Sequence, residues 1–228
     1  IQVNTKDLMK NKKVVFVGGG LNSAVGRAHF SAIKMVTGFD FVGGIFSRDR
    51  TENLKAKSIY GVKNCPDFND FQDFLNWLSK TEIDLIVVLT PTDQHFYQIS
   101  NLVNLKIPIL SEKALATGSK EARILAEEFS KEKINNFVMF NYTAYPMVRE
   151  MKAMLHDWSV DDFVSIRLEM PQDSFIRLDN QGKFVHPQNW RKRDYELPTI
   201  TLDLGVHLFS LFQYLVGADL DVGRTVQH

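Results

Sequence analysis

Asp203 and His207 stand four residues apart in the segment Asp203-Leu204-Gly205-Val206-His207. On a helix that spacing projects both side chains from one face, so the carboxylate can orient the imidazole. An oriented histidine is the natural base for taking a hydroxyl proton near neutral pH. The flanking run, Leu202, Leu204, Val206, Leu208, Phe209, Leu211 and Phe212, is apolar nearly all round. Two ionisable groups on such a helix are costly when buried unless paired or used. From spacing alone, a satisfied structural pair is the plainer reading. Lys113 follows the apolar run Ile107 to Leu110, with Glu112 before it. A cation at the carboxyl edge of a strand can hold a substrate oxygen and stabilise a developing alkoxide; the plainer alternative is a surface lysine. Glu112 suits a positioning partner better than a base.

A second set of residues suits a dinucleotide. Val14 to Val17 run into Gly18-Gly19-Gly20, then Leu21, Asn22 and Ser23. Glycines between a strand and a helix let the backbone approach a pyrophosphate, which the helix N-terminus favours. Gly18 and Gly20 match the first two positions of G-x-G-x-x-G; the third falls on Ser23, and the next glycine is Gly26. After the second strand come Ser47, Arg48 and Asp49. Arg48 there favours a 2′-phosphate, hence NADP, while Asp49 keeps NAD open.

The elements that must position these groups follow from periodicity. Val14–Val17, Phe41–Phe46, Ile83–Leu89, Ile107–Leu110 and Asn136–Phe140 read as strands, the central ones apolar on both faces. Helices are expected after Asn22 or Ser23, with Val25, Ala28, Ala32 and Val36 as the apolar face, around Phe96–Leu105, and over Lys120–Lys131. Phe68, Phe71, Phe74 and Trp77 have helical spacing and read as core. Alternating strands and helices predict an α/β, doubly wound parallel sheet. After Pro146 the texture changes, and Val164–Met170 alternates as a half-exposed strand. The boundary is expected near Tyr142, giving domains 1–141 and 142–228. The polar connection Pro171–Pro198 is long enough to be functional or mobile. Within it, Trp190 and Arg191 suit either a substrate contact or a tryptophan anchor.

Composition narrows the function. Lys and Arg together number 27, as do Asp and Glu. This zero balance gives no field for nucleic acid or an anionic membrane, and the expected partner is a small molecule. No apolar run approaches the roughly 20 residues of a membrane span. The single Cys65 has no partner for a disulfide or a zinc cluster, so a reducing, cytoplasmic setting is expected.

Three segments, Thr90-Pro91-Thr92 with His95, Glu112-Lys113-Ala114-Leu115-Ala116, and Asp203-Leu204-Gly205-Val206-His207, occur in order after the glycine turn. Together they resemble the glucose-fructose oxidoreductase / inositol dehydrogenase / rhizopine catabolism (Gfo/Idh/MocA) family across essentially the whole chain. The resemblance implies a Rossmann domain followed by an α+β domain with an open, mostly antiparallel sheet, incomplete here. It also implies NAD(P)-linked oxidation or reduction of a sugar, cyclitol or nucleotide sugar, and a homo-oligomer formed through that sheet. Lys113 would touch both nicotinamide ribose and the reacting hydroxyl. Asp203 and His207 would supply the other catalytic groups, Thr90, Pro91 and His95 would line the cofactor cleft, and Asn141-Tyr142 would mark the junction, with Tyr142 near substrate. The resemblance turns the Asp203/His207 pair from structural to catalytic. At two points the chain departs from the family: Ala114 replaces a proline, and Leu197-Pro198-Thr199-Ile200-Thr201 replaces a glycine-rich lead-in. Redox-neutral glycoside cleavage with retained cofactor, and a non-catalytic cofactor-binding sensor or subunit, are the competing functions.

Overall fold

The computed structural model describes residues 10–173 and 175–217; the outer ends of the two expected domains, 1–9 and 218–228, lie outside the described residues. Contacts divide the chain between Met139 and Phe140 into two compact units.

In the first unit, β1 (Lys12–Gly18), β2 (Phe39–Ile45), β3 (Leu85–Leu89), β4 (Ile109–Glu112) and β5 (Asn136–Met139) form one sheet. All neighbours are parallel, in the order β2-β1-β3-β4-β5. Parallel neighbours require crossovers, which carry α1 (Ala24–Met35), α2 (Arg50–Ile59), α3 (Phe71–Leu78), α4 (Thr92–Val103) and α5 (Ser119–Glu132). Val14, Val15, Phe16 and Val17 of β1, like Ile86, Val87 and Val88 of β3, are buried. That double burial is why these strands read as unbroken apolar runs rather than alternating ones. Truncating Phe16 to alanine would cost about 3–5 kcal/mol through lost burial and the cavity left.

The order in which strands are added reverses between β1 and β3, because β1 leads to β2 on one side and the later strands lie on the other. In an open parallel sheet the crevice beyond the strand ends at that point is where ligands bind.

The face that α1 buries differs from the expected one. Val25 and Val36 are exposed, and the inward side carries Gly26, His29, Phe30 and Ile33. Gly26 sets the rotation: a Cβ there would stand 2.3 Å from the Gly19 carbonyl oxygen, so only this bare position can face the turn so closely. The aromatic set does form core, with Phe74 fully buried and Phe68 5.1 Å from its ring centre, although Phe68 precedes α3 instead of lying on it.

In the second unit α6 (Pro146–Met154) and α7 (Val206–Val216) are joined by a Lys152 Nζ donation to the Leu215 carbonyl at 3.1 Å. Its described residues contain no strand, and their one isolated bridge is the antiparallel Leu178–Phe184. The expected strand at Val164–Met170 is therefore irregular backbone. Alternation gives a segment two faces, but a strand also needs a ladder partner, and no described segment pairs with it. Its polar face nonetheless persists, since Arg167 donates to Glu169 Oε1 two residues along.

Candidate functional site

The glycine turn lies at the switch point. Gly18 and Gly19 adopt left-handed φ values of 82° and 74°. A Cβ on Gly18 would meet Thr90 Cγ2 at 2.7 Å and Thr90 N at 2.8 Å, so a side chain would invade the β1–β3 crevice. Leu21 and Asn22 complete the turn, and Ser23 caps α1 by accepting from Gly26 N at 3.1 Å. The fingerprint is thus three residues longer than expected: Ser23 is the cap, and Gly26 makes the close helix-to-turn contact. The first turn of α1 holds no acidic residue, which leaves its positive end for an anion. Tyr60 Oη donates to the Gly19 carbonyl at 2.7 Å and fixes the turn from behind. Burial pushes the Tyr60 phenol above its ordinary range, so it stays a donor. These features fit a dinucleotide pyrophosphate.

At the end of β2, Asp49 is the N-cap of α2, accepting from Glu52 N at 2.9 Å. Ser47 Oγ accepts from Asp49 N at 3.1 Å, and Arg48 is exposed. Buried Asn53 accepts from Phe46 N at 2.7 Å, tying the end of β2 to α2.

Thr90 and Pro91 follow β3. The helix after them starts at Thr92, earlier than expected, so His95 lies in the first turn of α4 and is fully buried. Its Nδ1 is 2.8 Å from the Ala114 carbonyl oxygen and its Nε2 is 2.8 Å from that of Thr90. Burial pushes the imidazolium below its ordinary range, opposed by both carbonyls and by the carboxylates of Glu112 and Asp93. Thr90 Oγ1 donates to Gln98 Oε1 at 2.5 Å. Glu112 ends β4, where its Oε1 accepts from His29 Nε2 at 2.8 Å. Lys113 comes next, half-buried, and the Lys113–Ala114 peptide is cis. Gly18, Gly20, Thr90, Pro91, His95, Glu112 and Lys113 therefore gather along the carboxyl ends of β1, β3 and β4.

The second unit gathers the others. Thr201–Gly205 forms a π-helical turn that runs directly into α7, so Asp203 and His207 do not share one regular α-helix as expected. Such wide turns are found disproportionately at functional sites. Asp203 is held by Arg191, whose Nε reaches Oδ2 at 2.7 Å and whose second nitrogen reaches Oδ1 at 3.1 Å. The Arg191 guanidinium also lies 4.4 Å from the Trp190 ring centre, and buried Trp190 donates to Gln188 Oε1 at 2.7 Å. Trp190 is thus packed against residues of its own loop. His207 is buried, with the Tyr142 ring edge-on at 4.7 Å and Phe140 at 6.5 Å. The rest of α7 is only partly covered, with Phe209 exposed.

His29, Asn53 and Tyr60 are not among the candidate site residues that the sequence offers. His29 had one available signal, its position a single helical turn after Gly26. Among the described residues no group of histidine, cysteine and acidic side chains could hold a metal ion, and no helix is long and apolar enough to cross a membrane.

A parallel sheet with a glycine turn at its switch point defines a Rossmann-type nucleotide-binding protein. The chain belongs to the Gfo/Idh/MocA oxidoreductase family, whose NAD-binding Rossmann fold matches residues 12–141. It is similar to glucose-6-phosphate 3-dehydrogenase of Bacillus subtilis (strain 168), 22% identical over 210 residues that cover 91% of this chain and 55% of that protein. Among solved structures, an inositol dehydrogenase homolog from Azotobacter vinelandii, complexed with NADH and myo-inositol, matches with a TM-score of 0.75 and 19% identity. That match covers 92% of this chain and 53% of that one. An oxidoreductase from Sinorhizobium meliloti matches with a TM-score of 0.72 and 22% identity, covering 93% and 54%. The chain spans about half the length of these relatives.

Proposed function

We propose that the protein is an NAD(P)-dependent dehydrogenase or reductase acting on a secondary hydroxyl of a sugar, cyclitol or nucleotide sugar. In this reading 1–141 is its dinucleotide-binding domain and 142–228 is part of its substrate-binding domain. The observation that carries it is the gathering of the glycine turn, Thr90 and Lys113 at the carboxyl ends of adjacent strands around the switch point. When bound, the nicotinamide supplies a hydride acceptor or donor.

The chain's own groups divide the remaining work. Gly18, Gly20, Leu21, Asn22 and Ser23 hold the pyrophosphate, with Gly26 seating α1 behind them. Ser47 and Arg48 face the adenosine ribose, and Arg48 inclines the choice to NADP because a guanidinium pairs well with a 2′-phosphate. Lys113 donates to the reacting oxygen and stabilises negative charge there. His207 takes the hydroxyl proton during oxidation and returns it during reduction. Asp203, steadied by Arg191, and Tyr142 orient that imidazole, and Trp190 and Arg191 shape the substrate side. Copies of the protein associate through their substrate-binding domains, and the enzyme works in the cytoplasm.

Fluorescence titration of the full-length protein with NADH and NADPH, followed by nicotinamide absorbance against a panel of sugars, cyclitols and nucleotide sugars, tests this reading. Saturable binding with net absorbance change on one substrate class is expected. Binding without turnover of any member would make the protein a cofactor-binding subunit, and turnover without net absorbance change would make it a redox-neutral enzyme.

A further inference from the structure

Lys113 is flanked on both sides by residues tied to histidines from other elements. On one side the Glu112 carboxylate accepts from His29 Nε2 at 2.8 Å, with the two side chains only 14% and 15% exposed, so little water competes for the bond. His29 sits on α1 one turn after Gly26, the residue that seats this helix against the glycine turn. On the other side the Ala114 carbonyl lies 2.8 Å from Nδ1 of fully buried His95, whose Nε2 faces the Thr90 carbonyl. Thr90 in turn abuts Gly18. Both histidines therefore link the neighbours of Lys113 to the backbone that forms the proposed dinucleotide site.

A lysine side chain is a point charge on a flexible stem. Its mean position depends on how firmly the backbone beneath it is held, and loosening a supporting contact displaces a site without abolishing it. We propose that His29 and His95 are positioning residues that clamp the backbone on either side of Lys113 and so hold its amine at the dinucleotide. This inference rests on the role given to Lys113 under Proposed function.

The two histidines present different nitrogens to the clamp, which makes the test specific. A glutamine amide can replace the Nε2 donor of a histidine, and an asparagine amide the Nδ1 donor. At position 29 the clamp uses Nε2, so His29→Gln keeps it and His29→Asn loses it. At position 95 the clamp is the Nδ1–H tautomer of the neutral ring, which donates to the Ala114 carbonyl, so the order inverts: His95→Asn keeps it and His95→Gln loses it. All four substitutions replace the histidine with a polar amide, so the pairs differ in the reach of that amide rather than in its polarity.

The readout is acetylation of Lys113 by acetic anhydride in the full-length protein, followed by peptide mass spectrometry with and without saturating NADH. NADH affinity and Tm are measured alongside. In the wild type NADH should slow labelling of Lys113 about tenfold. His29→Gln and His95→Asn should retain most of that protection. His29→Asn and His95→Gln should fall to about twofold or less at NADH concentrations that saturate each variant. Full protection in both latter variants, or equal losses in all four, would overturn the clamp and leave the Lys113 reading intact. An absence of NADH protection in the wild type would overturn the Lys113 reading and the clamp together.

Discussion

The Cβ that Gly26 lacks would lie 2.3 Å from the carbonyl oxygen of Gly19, a backbone-to-backbone approach with no flexible side chain to yield. Gly20 is less confined, since a Cβ there would stand 3.0 Å from the Phe46 carbonyl oxygen. Gly26→Ala should therefore push α1 away from the turn and weaken NADH binding at least about tenfold, which is about 1.4 kcal/mol. Gly20→Ala should be milder. Fluorescence titration checks both, and wild-type affinity in Gly26→Ala would remove the pyrophosphate from this turn.

Arg48 and Asp49 are adjacent but differently committed. Asp49 is occupied as the cap of α2, whereas Arg48 is exposed at the end of β2. Arg48→Ala should weaken NADPH more than NADH, measured as the ratio of their dissociation constants. Asp49→Ala should instead lower Tm, since losing such a cap costs about 1 kcal/mol. Equal losses of both dinucleotides in Arg48→Ala would reduce it to a loop charge.

How much of this was legible follows from the kind of signal each feature leaves. β1 and β3 are apolar on both faces, and α5 has regular periodicity between Gly118 and Lys133, so they could be read within a residue or two. The inward face of α1 could not. Val25, Ala28, Ala32 and Val36 form the more apolar stripe, yet a backbone contact made by a side-chain-less residue, Gly26, set the rotation and brought His29 inward. Tyr60 acts on Gly19 across 41 residues, and His29 on Glu112 across 83. Such partners leave no periodic trace. The π-helical turn at Thr201–Gly205 was illegible for another reason: the four-residue spacing of Asp203 and His207 is equally compatible with an α-helix. At Val164–Met170 the alternation was real, but pairing depends on a partner that a single segment cannot reveal.

His95 makes stability depend on pH. Its folded pKa lies below the ordinary histidine value because burial disfavours the charged ring. The unfolded chain consequently binds a proton that the folded chain refuses. Stability from this group is complete above the unfolded value of about 6.5 and declines as pH falls toward the folded pKa, by at most about 1.4 kcal/mol per pH unit. Urea denaturation of the full-length protein between pH 7 and pH 5 should show that decline, and His95→Asn should flatten it. An unchanged slope in the variant would assign the acid sensitivity to other groups.

His207 carries the sharpest functional expectation, because it is buried yet sits edge-on to Tyr142 at 4.7 Å, beside a π-helical turn whose Asp203 is held by Arg191. The proposed base needs its ring correctly oriented; Tyr142 packs edge-on against that ring, and Arg191 fixes Asp203 in the adjoining turn. His207→Asn should preserve Tm and NADH affinity while lowering kcat about 10²- to 10⁴-fold, the usual worth of general acid–base catalysis. Arg191→Ala should also lower kcat, but less, and with a loss of Tm because it leaves the partly buried Asp203 carboxylate without its bidentate partner. Lys113→Ala should impair substrate or cofactor binding together with kcat, since its charge is assigned to both. The deciding measurement is kcat against pH for wild type and His207→Asn with the substrate found in the panel. A reaction that needs an unprotonated base slows on the acid side, and in the variant that limb should vanish together with most of the rate. If the variant keeps both the rate and the limb, the proton goes elsewhere. Lys113 then becomes the leading acceptor, and the Asp203–His207 segment is a structural element that shapes the second unit.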